Sequence, residues 1–150
     1  MAVTVSGLYV LTVIDILDAT QLAVDLSLTS NKVAMFTNTI TPNFSTDTAY
    51  GVAPYNANEV SGANYTAGGT VVVSPTLTES PTGSVMYDLA DTSWATSTIT
   101  NARCALLYAD ALAGNNAICL VDFDADYSTS SGTFTIQWAS TGMFALDLTP

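Results

Sequence analysis

The 150-residue sequence predicts an all-β fold: a single-domain antiparallel β-sandwich or jelly-roll-like barrel with a long loop and an N-terminal arm or short helix. Three observations carry that expectation. The chain holds 23 threonines and 14 serines, and Thr, Val, Tyr, Phe and Ile suit a pleated, half-buried surface. Short β-type segments follow one another from residue 70 onward with turn residues between them, as in sandwiches and barrels. Charged residues make up only 10% of the chain against 49% hydrophobic, where about 25% charged is usual, so small hydroxyls must supply the polar surface. A chain of this length buries roughly 68–70% of its unfolded surface, enough for a core without metal or disulfide. Its hydrophobic content excludes disorder.

The N-terminal segment, residues 1–28, is largely apolar from Gly7 to Ile14. No Lys or Arg precedes it, and Asp15, Asp18 and Asp25 interrupt it before a run of 18 develops, so neither a signal peptide nor a membrane span is expected. The Thr/Val-rich stretch Val3–Val13 favours a strand, followed by a short helix or turn-containing segment with Asp15, Ile16, Leu17, Ala19, Leu22, Ala23 and Leu26 on one face. Met1–Leu17 would be a costly apolar surface on a monomer, and such patches mark association sites. Val3, Val5, Leu8, Tyr9 and Val10 are therefore interface candidates on a possible oligomerisation arm.

A strand is expected at Lys32–Asn38, between Ser30-Asn31 and Thr41-Pro42-Asn43. Residues 41–69, with Pro42, Gly51, Pro54, Gly62, Gly68 and Gly69, read as a long surface loop. Loops of this length are commonly functional, which makes Tyr50, Tyr55 and Tyr65 candidates for partner contact; the alternative is that they pin the loop to the sandwich. Further strands are expected at Thr70–Val73, Val85–Leu89, near Ser97–Thr100, and at Ala102–Tyr108, Ala117–Phe123, Gly132–Trp138 and Met143–Leu148. Trp94 and Trp138 lie near β-periodic apolar residues and are assigned to core packing rather than to binding platforms.

Charge and missing residue types exclude much chemistry. Against 13 carboxylates there are two cations, Lys32 and Arg103, for a net charge of −11, which repels nucleic acid and anionic membranes. With no histidine there is no Ser-His-Asp or Cys-His nucleophile and no imidazole for zinc. Glu59 and Glu79 lie in loop-like sequence, and no motif brings two acids together for glycosidase chemistry. The expectation is a protein that is not an enzyme and uses no cofactor.

Asp122-Phe123-Asp124-Ala125-Asp126 resembles the start of a calcium loop, but Tyr127 stands where that loop needs glycine and Thr133 where it needs the bidentate Glu. Asp122, Asp124 and Asp126 are thus weak metal candidates. On a strand their period of two puts them on one face, read as a solvated face that discourages edge pairing. Cys104 and Cys119 sit about a turn near Ala111–Asn116 that could make them cross-strand neighbours; two free buried thiols are expected. Arg103 is either an ion-pair partner on the outer sheet face or an anchor in a subunit contact.

The segments Val33-Ala34-Met35-Phe36-Thr37-Asn38 and Asn58 to Gly69 resemble small virion structural proteins of tailed bacteriophages. The resemblance continues through Trp94-Ala95, Ile99-Thr100-Asn101-Ala102-Arg103, Leu106-Leu107-Tyr108, Val121-Asp122-Phe123, Phe134-Thr135-Ile136-Gln137-Trp138 and Gly142-Met143-Phe144. It spans most of the chain beyond residue 30 and none of residues 1–28. It implies a virion component of capsid decoration, head-fibre or minor tail type, with no catalytic residues to carry over. The leading expectation is a capsid decoration (cement) protein, made in the host cytoplasm and placed on the outer capsid surface. Its partners would be the major capsid protein and copies of itself, as a trimer. The rivals are a tail or tail-tip, receptor-binding component, and a secreted adhesin-like or carbohydrate-binding β module with an oxidised Cys104–Cys119 pair.

Overall fold

Two stretches of the chain have almost no polar face, and the architecture explains why. A computed structural model describes residues 3–149; Met1 and Ala2, at the start of the expected arm, lie outside the described residues. Strands β1 (Gly7–Leu8) and β2 (Lys32–Phe36) precede β3 (Thr70–Val71), β4 (Thr76–Glu79), β5 (Ser84–Asp88) and β6 (Thr92–Ser97). They are followed by β7 (Ala102–Ala109), β8 (Asn116–Tyr127), β9 (Gly132–Ile136) and β10 (Phe144–Asp147), and one helix, α1 (Val10–Leu17), follows β1. A five-stranded sheet runs β1-β8-β7-β2-β3, a three-stranded sheet β10-β5-β4, and a two-stranded sheet β6-β9. All pairs are antiparallel, giving the expected all-β sandwich.

Strands β2 and β7 are central in the large sheet and are covered on both faces. Val33, Met35, Ala105 and Leu107 pack beneath the two smaller sheets with Tyr87, Trp94, Phe134 and Ile136. Ala34, Phe36, Cys104, Leu106 and Tyr108 face the other way, under Val3, Tyr9, Ile40 and Tyr55. The second cover is thus the N-terminal segment and the long loop, not solvent. A strand buried on both faces reads as a continuous apolar run, as Val33–Phe36 and Cys104–Ala109 do.

Corrections to the sequence reading cluster at the N-terminus. Only Gly7 and Leu8 of Val3–Val13 are strand, pairing with Leu120 and Cys119, and the helix begins at Val10 rather than near Asp15. Five of the eight helical residues, Val10, Thr12, Val13, Ile14 and Ile16, are β-branched, which lowers helix propensity. Tyr9 provides no side-chain cap. Such a helix is marginal alone and is held by tertiary bonds: the Val10 N–H donates to Phe44 O at 2.8 Å and Thr12 Oγ1 donates to Ala117 O at 2.6 Å. The expected strand at Lys32–Asn38 stops at Phe36, the one near Ser97–Thr100 lies at Thr92–Ser97, and β4 was not foreseen.

Candidate functional site

The N-terminal segment is not a free arm. Its backbone is tied down at Val3, whose N–H donates to Asn38 Oδ1 and whose carbonyl accepts from Arg103 Nη2, both at 2.8 Å. The Tyr9 N–H extends the β1 pairing to Ile118 O at 3.1 Å, and the Tyr9 hydroxyl meets that of Tyr55. Val3 and Tyr9 are therefore core residues, which removes them as interface candidates, while Leu8 is half-buried. Val5 and Val10 remain exposed.

Helix α1 is inverted relative to the usual amphipathic arrangement. Its buried residue is the polar Thr12, whereas Val10, Ile14 and Leu17, at i, i+4 and i+7, are 45%, 47% and 80% exposed. That spacing lines them up on one face. Exposed apolar residues in contiguity mark association surfaces.

Arg103 lies not on an outer, solvated face but at a bulge where β7 meets β8, between the registers Ala102↔Tyr127 and Cys104↔Asp122. Its Nε donates to Asp122 Oδ1 at 2.8 Å, with side-chain exposures of 13% and 4%; Asp126 stands 3.8 Å from Nη1. The interface role for Arg103 gives way to that of a clamp joining β7, β8 and the N-terminal backbone. The solvated-face reading fails for Asp122, and Asp124 adopts a left-handed φ of 63°, which interrupts the regular strand. Among the described residues no group of three His, Cys, Asp or Glu side chains is arranged to hold a metal ion.

The long loop is irregular, as expected, but its tyrosines face inward. Tyr55 and Tyr65 are buried and Tyr50 stacks on Tyr108 with ring centroids 4.5 Å apart. Their place as partner contacts is thus corrected to the pinning role. At the centre is Glu59, whose carboxylate accepts from the Tyr50 and Tyr65 hydroxyls at 2.8 Å and from the Gly68 N–H at 2.7 Å. Tyr65 also accepts from the Met35 N–H at 2.9 Å, and the Tyr108 hydroxyl donates to Gly68 O at 2.8 Å. Burial, with Glu59 beside it, pushes the Tyr50 phenol up to about 12. Gly69, at φ +74°, lies so close to β2 that a Cβ there would sit 1.8 Å from Val33 O. The loop is riveted to the sheet by hydrogen bonds that sequence spacing does not reveal.

Cys104 and Cys119 are free and buried. They do flank the β7–β8 hairpin, but the register pairs Cys104 with Asp122 and Cys119 with Leu107, and they pack in the two different clusters on either side of the sheet. They are not cross-strand neighbours. Burial raises both thiols to about 12, leaving little thiolate for reaction. Trp94 is buried and Trp138 packs partly against the same cluster, its Nε1 donating to Thr92 Oγ1 at 3.1 Å.

One recess was missed in the sequence. A groove of about 390 Å3 is lined by Phe123, Tyr127, Thr129 and the consecutive residues Thr133 to Gln137. No sequence motif marks it, because its walls come from strands in two different sheets. No protein-family model matches the chain, and no match to it is found among curated proteins or solved structures.

Proposed function

We propose that the chain is a virion structural protein that acts as a capsid decoration protein, binding the outer capsid lattice by non-covalent contacts. The observation that carries this reading is the outward apolar stripe of α1. A helix that turns Thr12 inward and Val10, Ile14 and Leu17 outward gains one hydrogen bond, Thr12 Oγ1 to Ala117 O, and leaves its apolar stripe unburied in the isolated molecule. It favours a state in which the stripe is covered. Burial of apolar area is worth about 25 cal/mol per Å2 before association costs are subtracted, so a stripe repeated over a lattice adds up.

The resemblance of the β-strand segments to phage virion proteins supports the same reading. The partners are then the major capsid protein and further copies of the chain, assembled as a trimer. The secreted-module reading loses its chemical support, since the register holds Cys104 and Cys119 out of disulfide alignment.

The test separates surface from fold. Residues 2–14 cannot simply be deleted, because Val3, Tyr9 and Thr12 are core. The paired substitutions Ile14→Asp and Leu17→Asp lie at exposed positions and should change unfolding free energy by no more than about 0.5 kcal/mol each. They should abolish cosedimentation with purified shells lacking the protein. Retained cosedimentation would overturn the assignment of α1. Quantified gel bands from purified virions should give a copy number comparable with that of the shell subunit, whereas a few copies per virion would place the protein in the tail.

A further inference from the structure

The groove between β8 and β9 has the build of a receptor for an extended peptide. Strand β9 pairs only with β6, so among the described residues its other edge carries no strand. The groove runs along that edge: the five consecutive residues Thr133 to Gln137 all line it. Since successive side chains of a strand point to opposite faces, a recess touching all five must follow the backbone edge rather than either face. The facing wall is Phe123 and Tyr127, which share one face of β8 beyond the short β1 pairing at Cys119 and Leu120. Phe134 and Ile136 form an apolar base, and the polar lining comes from threonines and Gln137, with no charged side chain.

We propose that this groove binds an extended, uncharged segment of another protein by β-augmentation on β9, with a lysine or arginine flanking the segment. The length follows from the edge: Gly132–Ile136 offers about five residues, roughly 17 Å, for pairing. The chemistry of the flanks follows from the surrounding charge. At the far end Asp91 is exposed and accepts from the N–H of Trp138, the residue after Gln137, whereas Asp126, next to Tyr127, turns toward Arg103.

The same charges disfavour a second copy as the occupant. The chain has two cations, and both are engaged within it: Lys32 with Asp110 at 2.9 Å and Arg103 with Asp122 at 2.8 Å. A copy would bring carboxylates to a groove already edged with one at Asp91. The aromatic geometry favours peptide over sugar, because Phe123 and Tyr127 meet edge to face, at 6.4 Å and 72°, and do not form a coplanar platform. Main-chain bonds to an open edge supply affinity in this mode, and alternate side chains supply selectivity. The inference stands on the groove itself and holds whether or not the chain coats a shell.

The probe is a labelled peptide with a Val-Thr-Val-Thr-Val core flanked by lysines, titrated into the intact protein by fluorescence anisotropy. It should bind, while the same core flanked by glutamates binds about tenfold or more weakly at low salt. A version with proline at the central position should not bind, since proline removes a ladder donor. Tyr127 is 52% exposed, so Tyr127→Ala should fold normally and still weaken binding about tenfold. No binding of the lysine-flanked peptide, or equal binding of the proline version, would overturn the proposal. So would a concentration-dependent dimer that Tyr127→Ala dissolves, which would make a second copy the occupant, or saturable binding of an oligosaccharide that competes with the peptide.

Discussion

Arg103 joins three parts of the chain through two donors. One fixes Asp122 on the neighbouring strand and the other holds the carbonyl of Val3. Asp122 Oδ2 is buried with no partner of its own, so the carboxylate depends on the guanidinium for neutralisation. Arg103→Met should therefore cost about 3–5 kcal/mol, the usual penalty for stranding one member of a buried pair. Replacing both members, Arg103→Met with Asp122→Leu, should recover most of that loss, because the apolar pair leaves no charge unpaired. Urea unfolding of the two variants checks both statements, and equal destabilisation of single and double variants would contradict them. That a lone arginine among 13 carboxylates pairs with one of them was legible in the sequence. Its grip on Val3, 100 residues away in the chain, was not.

At the scale of elements, the long loop from residue 41 to 69 behaves as part of the core. Glu59 is its central rivet, and Glu59→Ala strands two phenols and the Gly68 N–H at once. Hydrogen bonds to a charged group are worth about 1.5–3 kcal/mol each, and partial rehydration offsets some of the loss. The expected destabilisation is about 3 kcal/mol by denaturant unfolding, with faster proteolysis inside the loop. An unchanged midpoint would show the network to be ornamental. The loop was recognisable from its Pro, Gly and Asn content, yet its inward tyrosines were not, because irregular backbone has no period from which burial can be read. Helix α1 was obscured for the opposite reason: β-branched residues signal strand locally, and tertiary bonds from Phe44 and Ala117 override them. Strand β4, Thr76-Leu77-Thr78-Glu79, is exposed throughout and follows Pro75, so no buried face marked it.

For the molecule as a whole, the β class and most strands after residue 70 followed from alternation and turn residues, since those signals are local. The assembly of three sheets did not, since it depends on pairings between distant strands. The distribution of tyrosines gives this assembly a measurable signature. Tyr9, Tyr55, Tyr65, Tyr87 and Tyr108 are buried and Tyr50 half-buried, and burial raises the phenol of each, with Tyr50 and Tyr87 reaching about 12. A raised folded-state value means that stability is complete below the ordinary phenol value of 10.0 and declines as the pH climbs past it, because the unfolded chain releases those protons more readily. The protein should unfold cooperatively in alkali above pH 10, with tyrosinate absorbance and circular dichroism changing together. Ionisation of the buried phenols ahead of any change in circular dichroism would contradict this.

The two cations carry one more consequence, in the currency of proteolysis. Trypsin cleaves after lysine and arginine, so this chain offers it two peptide bonds, Lys32–Val33 and Arg103–Cys104. Both lie in β2 and β7, the central strands of the large sheet, and each is followed by a fully buried residue. No loop, turn or edge strand contains a site. Local fraying therefore exposes nothing, and cutting at either bond requires the central sheet to open. The rate at which trypsin consumes the native protein is then a clock for global unfolding.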